Sequence, residues 1–427
     1  MLSRLRAVAC AILAMSSIAA CADAASPKPQ TLGFSTERLG WLHKGIQREV
    51  DEQRLAGVTT LLLRHGQVVE EQSYGFKDIA SRAPMTADTI FRIYSMTKPV
   101  TGVAMMILYE EGKWRPSDPI SKFIPEFEHL KVFKGTDSSG AILTEPPRHA
   151  PTIGELMTHT AGFTYGLFGS TPIDKLYMEK QPLNADSLHD MVQRLAGIPL
   201  LYQPGTRWVY SVSMDIQGYI IEKLSGQSLS DFMEQRIFKP LKMTDTAFYV
   251  PKEKVDRLAT LYGEDSSGKL VVQTMGGDFT SPPRAPSGGG GLVSTARDYS
   301  RFAQMLLNHG ELDGVRILAP PTVDLMTASH LPPSLLTGEF GVVNIIMQPG
   351  HSWGYDMAVL PDPAAVNDIV GKGTYYWAGA ADTWFWVDPT NDLIFIGLTQ
   401  RMLGPHWPDV QGLTRPLVYG ALTDPRR

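Results

Sequence analysis

The sequence predicts an α+β fold: an antiparallel β-sheet flanked by helices, with an all-α subdomain inserted between its first and last strands. Three observations predict it. Apolar and β-branched runs bounded by turn residues cluster near both ends of the chain. Between them, short helical periodicities alternate with Pro/Gly loops, and alternating strand patterns are scarce. The 427 residues are 43% hydrophobic and 19% charged, which supplies a sizeable core and excludes a disordered or collagen-like chain. A sheet built from both chain ends, with the middle inserted as a helical unit, accommodates that order.

The elements follow in turn. Ser35 is placed to cap a helix whose Leu39, Leu42, Ile46 and Val50 fall on one face. Val58 to Leu63 reads as a strand, Arg64-His65-Gly66-Gln67 as a turn, and Val68 to Tyr74 as the returning strand. Ile93 to Tyr109 carries a stripe of Val100, Val103, Ile107 and Leu108. Pro99 is tolerated only in the first turn, so this helix is expected to begin near Tyr94 or Ser95. The middle offers helical patterns at Ile153 to His159, Leu188 to Ala196 and Asp215 to Leu224. Trp353 to Val359, Thr374 to Trp377, Thr383 to Val387 and Leu393 to Thr399 read as late strands, and Pro408 to Ala421 as a closing helix. The division expected is an α/β part over about 35–98 plus 285–422, and a helical part over about 99–284.

Charge and cysteine usage narrow the partners. A net charge of −5 gives no strong basic balance to draw the chain onto phosphate, so no nucleic-acid partner is expected. The two cysteines, Cys10 and Cys21, both lie in the leader, so the body holds no disulfide, cysteine nucleophile or Cys-ligated zinc. Arg4 and Arg6 precede an apolar run from Ala7 to Ala20, too short to span a bilayer and suited to a signal peptide over residues 1–24. Two endings compete. Cleavage after Ala24 releases a periplasmic or secreted protein. Alternatively, Ile18-Ala19-Ala20-Cys21 is a lipobox-like run that makes Cys21 a lipid anchor.

Several chemistries are missing. There is no G-x-S-x-G elbow, no H-E-x-x-H zinc helix and no G-x-x-x-x-G-K-[ST] phosphate loop. Gly288 to Gly291 reads as a flexible turn at a cleft rim. No metal and no cofactor are expected.

S-x-x-K is present twice. Ser266-Ser267-Gly268-Lys269 sits in turn chemistry between short strands. Ser95-Met96-Thr97-Lys98 opens an apolar-striped helix, where i and i+3 share a face and the ammonium lies beside the hydroxyl. The helix start adds unpaired backbone N–H groups aimed at a developing oxyanion. Two readings fit Ser95: an N-cap serine, or a nucleophile. The second needs more, because lysine at its free pKa of ~10.4 is protonated and accepts nothing. Burial lowers that value, and a facing tyrosine could share the proton, but fifteen tyrosines leave the partner open.

Ser95-Met96-Thr97-Lys98, Tyr210-Ser211-Val212 and Trp377-Ala378-Gly379 occur in the order of the three signature motifs of the serine β-lactamase/penicillin-binding-protein superfamily. The framing segments resemble its class C branch: Phe91 to Tyr94, Leu156 to Gly162, Pro204-Gly205-Thr206, and Gly289-Gly290-Gly291-Leu292. The resemblance covers about residues 35–422. It implies Ser95 as acylated nucleophile, Lys98 as its proton partner, and Tyr210 as general base for attack and acid for the leaving group. It also implies an oxyanion hole from the backbone N–H of Ser95 and Ala380.

Two departures steer the substrate. The second motif ends in Val212 where those β-lactamases have asparagine, and the third begins with Trp377 where they have lysine. Lys372-Gly373-Thr374 comes five residues early and reads as a turn before the strand. Trp377, Ala378, Gly379 and Val212 are therefore expected to line an apolar substrate site. A tryptophan in place of that lysine resembles the family VIII carboxylesterases, which implies a carboxylesterase on short-to-medium acyl esters. The alternatives are a β-lactamase or D-amino-acid-specific peptidase and, from another class, a catalytically silent binding or assembly homologue. His159 is expected to be a structural polar contact, Trp353, Trp384 and Trp386 to pack against helices, and Asp382 to be a turn or salt-bridge residue.

Overall fold

The computed structural model describes residues 28–274, 277–335 and 350–424. Residues 1–27, with Cys10, Cys21 and Ala24 and the expected signal peptide, lie outside them. Eight strands form one antiparallel sheet: β1 Gly57–Arg64, β2 Gln67–Asp78, β3 Ala83–Pro84, β4 Ser352–Trp353, β5 Ala358–Leu360, β6 Thr374–Gly379, β7 Thr383–Asp388 and β8 Leu393–Leu398. Their spatial order is β4-β5-β6-β7-β8-β1-β2-β3, so the first and last strands of the chain meet at the β8–β1 pair. Leu61 faces Ile396 and Leu63 faces Ile394 in that register.

Five helices bear on the sheet and the site: α1 Thr36–Asp51, α2 Thr97–Glu110, α3 Ser213–Ser225, α4 Ala296–Leu307 and α5 Val410–Gly420. Ser35 caps α1, its side chain accepting from the Arg38 N–H. β7 is buried along its whole length because both faces are covered. Phe385 meets Tyr299 of α4 on one face, and Trp386 stacks on Tyr419 of α5 on the other. Trp386 therefore packs against a helix, as the pattern predicts. α2 is buried from Thr97 to Leu108 and packs on α3, which explains an apolar composition that runs all round it.

Three local differences have physical reasons. Trp353 to Val359 is not one strand but a hairpin, because Asp356 takes φ +63° and Gly354 N–H donates to the Met357 carbonyl. The middle of the chain is not all helical. It includes the hairpins Val132–Thr136/Ile142–Glu145 and Tyr262–Glu264/Leu270–Val272, whose register shift and three-residue strands give little periodicity to read. Ser95 is not on α2 itself. It sits in a 3-10 turn, Tyr94–Met96, that runs into the helix, and Pro99 then occupies the first turn, where its missing N–H costs nothing.

Candidate active site

Ser95 is half-buried, and the turn that carries it is held from three sides. Met96 N–H donates to the Ile93 carbonyl (3.0 Å), Tyr299 Oη donates to the Met96 carbonyl (2.9 Å), and Ile93 N–H donates to the Leu292 carbonyl (3.0 Å). Tyr94, the preceding residue, takes φ +41°, a conformation that is costly for a bulky side chain and persists only where its surroundings impose it. Lys98 lies one turn on. Its Nζ donates to Ser95 Oγ (3.0 Å) and to the Gly289 carbonyl (2.7 Å). Lys98 is fully buried, and burial pushes its pKa down to about 7 against the opposing pull of Asp215 and Asp356. A free amine is thus available at neutral pH, which the bare tetrapeptide could not guarantee.

Tyr210 closes over this pair from the loop before α3. Lys98 Nζ is 4.5 Å from the centre of its ring. Trp377 Nε1 donates to Tyr210 Oη (3.2 Å). Burial pushes the Tyr210 hydroxyl upward, only partly offset by its hydrogen bonds with Ser95 and Trp377. Around its ring stand His159, Tyr165, Trp377, Phe168 and Trp208, with centroids 4.9, 5.3, 5.4, 6.0 and 6.1 Å away. Trp353 meets Trp377 edge to face at 4.6 Å. It therefore belongs to this aromatic wall, rather than only to helix packing.

His159 is a structural contact. Its Nδ1 lies 3.0 Å from Ser211 Oγ, and burial, reinforced by Lys98, holds the ring neutral. Val212 sits at the N-cap of α3, fully buried among core residues, and Trp377 of the third motif is likewise buried, at 1% exposure, so both stand behind the surface a substrate would touch. The third motif forms the end of β6. Gly379 presses against the Ile93 carbonyl and Thr383 Oγ1 so closely that a Cβ would collide with both. That approach brings the strand end against the Ser95 turn. Ala378 and Ala380 are half-buried, and Ala380 starts the turn back to β7, its carbonyl accepting from Leu403 N–H. Asp382 occupies this turn at φ +60°, and burial pushes its carboxyl up to about 7.

The second S-x-x-K is elsewhere: Ser266 is exposed in the turn between Tyr262–Glu264 and Leu270–Val272. Lys372-Gly373 is a turn before β6. Among the described residues no cluster of three or more His, Cys, Asp or Glu side chains is placed to hold a metal.

Three contributors escape a sequence reading. Gly288 to Gly291 is a packed wall, not a loose rim. Gly289 supplies the carbonyl to Lys98, and a Cβ there would lie 2.6 Å from Asp215 Oδ2 and 2.7 Å from Tyr165 Oη. Asp215, in the first turn of α3, anchors that wall by accepting from Ser287 Oγ and from Gly289 N–H (3.1 Å). Asp356, at the β4–β5 turn, accepts from Gln217 Nε2 (2.9 Å). Burial raises both carboxyl pKa values, that of Asp356 well above normal. The only sequence signal for Asp215 was an acid within an apolar helical pattern.

Comparison with known proteins shows the family and the fold. Residues 42–412 match the profile of the Beta-lactamase family. Protein Rv1367c of Mycobacterium tuberculosis is 38% identical over 375 residues, covering 86% of this chain and 89% of the relative. Esterase EstB of Burkholderia gladioli is 29% identical over 379 residues, covering 83% and 89%. The solved structure of EstCE1, described as a hydrolase with promiscuous acyltransferase activity, superposes with a TM-score of 0.73 at 26% identity, covering 92% of this chain and 99% of that one.

Proposed function

The chain belongs to the beta-lactamase family, and from that premise we propose that it is a carboxylesterase cleaving short-to-medium acyl esters through an acyl-enzyme on Ser95. At the coarser level it is a serine hydrolase or acyl-transfer enzyme of this fold.

In the proposed reaction, Ser95 Oγ attacks the ester carbonyl as its proton passes to Lys98 Nζ. The tetrahedral oxyanion rests on the N–H groups of Ser95 and Ala380. The C–O bond to the alcohol then breaks, and the proton returns through Tyr210 Oη to the departing alkoxide. Water repeats the sequence against the acyl-enzyme and frees Ser95 and a carboxylic acid.

The single observation that carries the ester reading is Trp377. Esters and β-lactams use the same nucleophile and oxyanion hole, so discrimination comes from groups that grip the rest of the substrate. A charge-assisted hydrogen bond to a β-lactam carboxylate is worth ~1.5–3 kcal/mol, or roughly 10- to 150-fold in kcat/KM if realised in the transition state. Trp377 supplies no cation at that position: its indole is buried behind Tyr210, and its one neutral N–H is already donated to the Tyr210 hydroxyl. An ester without a carboxylate loses nothing and meets apolar walls. The kcat/KM for p-nitrophenyl acetate or butyrate is expected to exceed that for nitrocefin by at least ~100-fold. Trp377→Lys is expected to narrow the gap, mainly by weakening ester turnover. Nitrocefin turnover matching ester turnover in the unmutated protein would overturn the assignment.

We also propose export, on the leader alone. If Cys21 is lipidated, Cys21→Ser releases the protein from membranes into the soluble periplasmic fraction. Wild-type protein found soluble with Ala25 as its N-terminus refutes the anchor and leaves simple secretion.

A further inference from the structure

The segment after Thr164 points two large apolar side chains into water beside the catalytic tyrosine. Leu167 is 68% exposed and Phe168 40%. The Phe168 ring lies 6.0 Å from that of Tyr210 and meets Tyr165 edge-on at 6.0 Å, so this apolar surface is continuous with the reaction centre.

The backbone holds these side chains outward. Asp174, itself buried, ties both ends of the excursion together. Its Oδ1 accepts from Thr164 Oγ1 (3.0 Å), and its Oδ2 accepts from Thr171 N–H (3.0 Å) and Thr171 Oγ1 (2.7 Å). Thr171 in turn caps the helix Pro172–Lys180, accepting from Asp174 N–H (3.1 Å). Within the loop, Gly166 takes φ +71° and packs on Tyr177, while Gly169 packs on the Asp174 carboxylate, so neither position tolerates a Cβ. A loop pinned this tightly has no route to bury Leu167 and Phe168 against its own chain. Leu167 and Phe168 are adjacent and continuous with the aromatic wall around Tyr210, which makes them a contiguous apolar patch rather than isolated exposed residues.

We propose that Leu167 and Phe168 form a fixed apolar shelf that receives the hydrocarbon chain of the substrate. Resting on the esterase reading, this places the preferred substrates among esters with a longer hydrocarbon chain, at the long end of the proposed range. A chain leaving the carbonyl at Ser95 passes Tyr210 and lies across the Phe168 ring. It buries apolar area on both partners there, and each methylene covered adds to transition-state binding.

The test measures kcat/KM for two homologous series, p-nitrophenyl esters from acetate to decanoate and alkyl acetates from ethyl to octyl. Wild type is compared with Leu167→Ser, Phe168→Ser and the double variant, each checked for an unchanged melting transition. The long-to-short ratio is expected to fall at least ~10-fold in the double variant. The fall appears in the acyl series or the alcohol series, according to which half of the ester rests on the shelf. An unchanged ratio in both series overturns the shelf. If wild type turns over no ester at all, the esterase reading fails instead. The shelf is then judged by the rates at which methyl and octyl fluorophosphonates label Ser95: a long-chain advantage lost in the double variant supports it, and an equal advantage in both proteins overturns it.

Discussion

Ser95→Ala is expected to lower kcat for p-nitrophenyl butyrate by at least ~10⁴-fold and to abolish labelling by a fluorophosphonate. The substitution removes the only atom that bonds the acyl group. It leaves the Ser95 backbone N–H in the oxyanion hole, so some residual rate over water persists. Lys98 keeps its hydrogen bond to the Gly289 carbonyl, and the half-buried site loses one hydroxyl, so the fold is expected to survive. Ser266→Ala is the control, since the second S-x-x-K serine lies exposed in a hairpin turn. Mass mapping of the labelled peptide decides the matter: a probe adduct on Ser266 would show the nucleophile to be misassigned.

Tyr210→Phe is expected to cost at least ~100-fold in kcat, the usual scale for losing a group that moves a proton in the transition state. The pH dependence identifies the partner that carries the proton. Burial lowers the Lys98 pKa to about 7 and raises that of Tyr210, so at neutral pH the available base is the Lys98 amine and the tyrosine holds its proton. The sign follows. Below about pH 7 Lys98 is an ammonium and accepts nothing, so kcat/KM rises as pH passes through about 7 and levels off above it. Asp382 titrates in the same window, in the turn that begins with Ala380. Asp382→Asn separates the two groups: the rise should remain if Lys98 causes it and disappear if Asp382 does. His159 does not enter, because its pKa is pushed far below this range. A Lys98 base departs from the general-base role that the family resemblance implies for Tyr210, and near-normal turnover by Tyr210→Phe would also remove Tyr210 from proton delivery to the leaving alkoxide.

The helices and the long strands were legible because their causes are local. Ser35 caps within three residues, β7 and β8 declare themselves by aromatic and β-branched runs, and the turn at Asp388 to Asp392 separates them. The Ser95–Lys98 pairing was legible for the same reason, since three residues of helical chain set the distance. What lowers the pKa of the lysine was not. Lys98 meets Gly289 across 191 positions, Trp377 meets Tyr210 across 167, and Gln217 meets Asp356 across 139. No periodicity encodes such pairs.

The same limit explains the misread glycines and valine. Gly288 to Gly291 has the composition of a loose turn, and only the approach of Asp215 and Tyr165 turns it into a wall. Val212 was assigned to the substrate site by its place in the motif, and the packing at the start of α3 takes it into the core instead. By itself the sequence determined the order of elements, the pairing of Ser95 with Lys98, and the presence of an indole at position 377. The tertiary structure alone decided which groups surround Lys98 and how dry they keep it. A pKa is a free-energy difference set by everything packed around the charge, and burial is a property of the whole fold rather than of any segment.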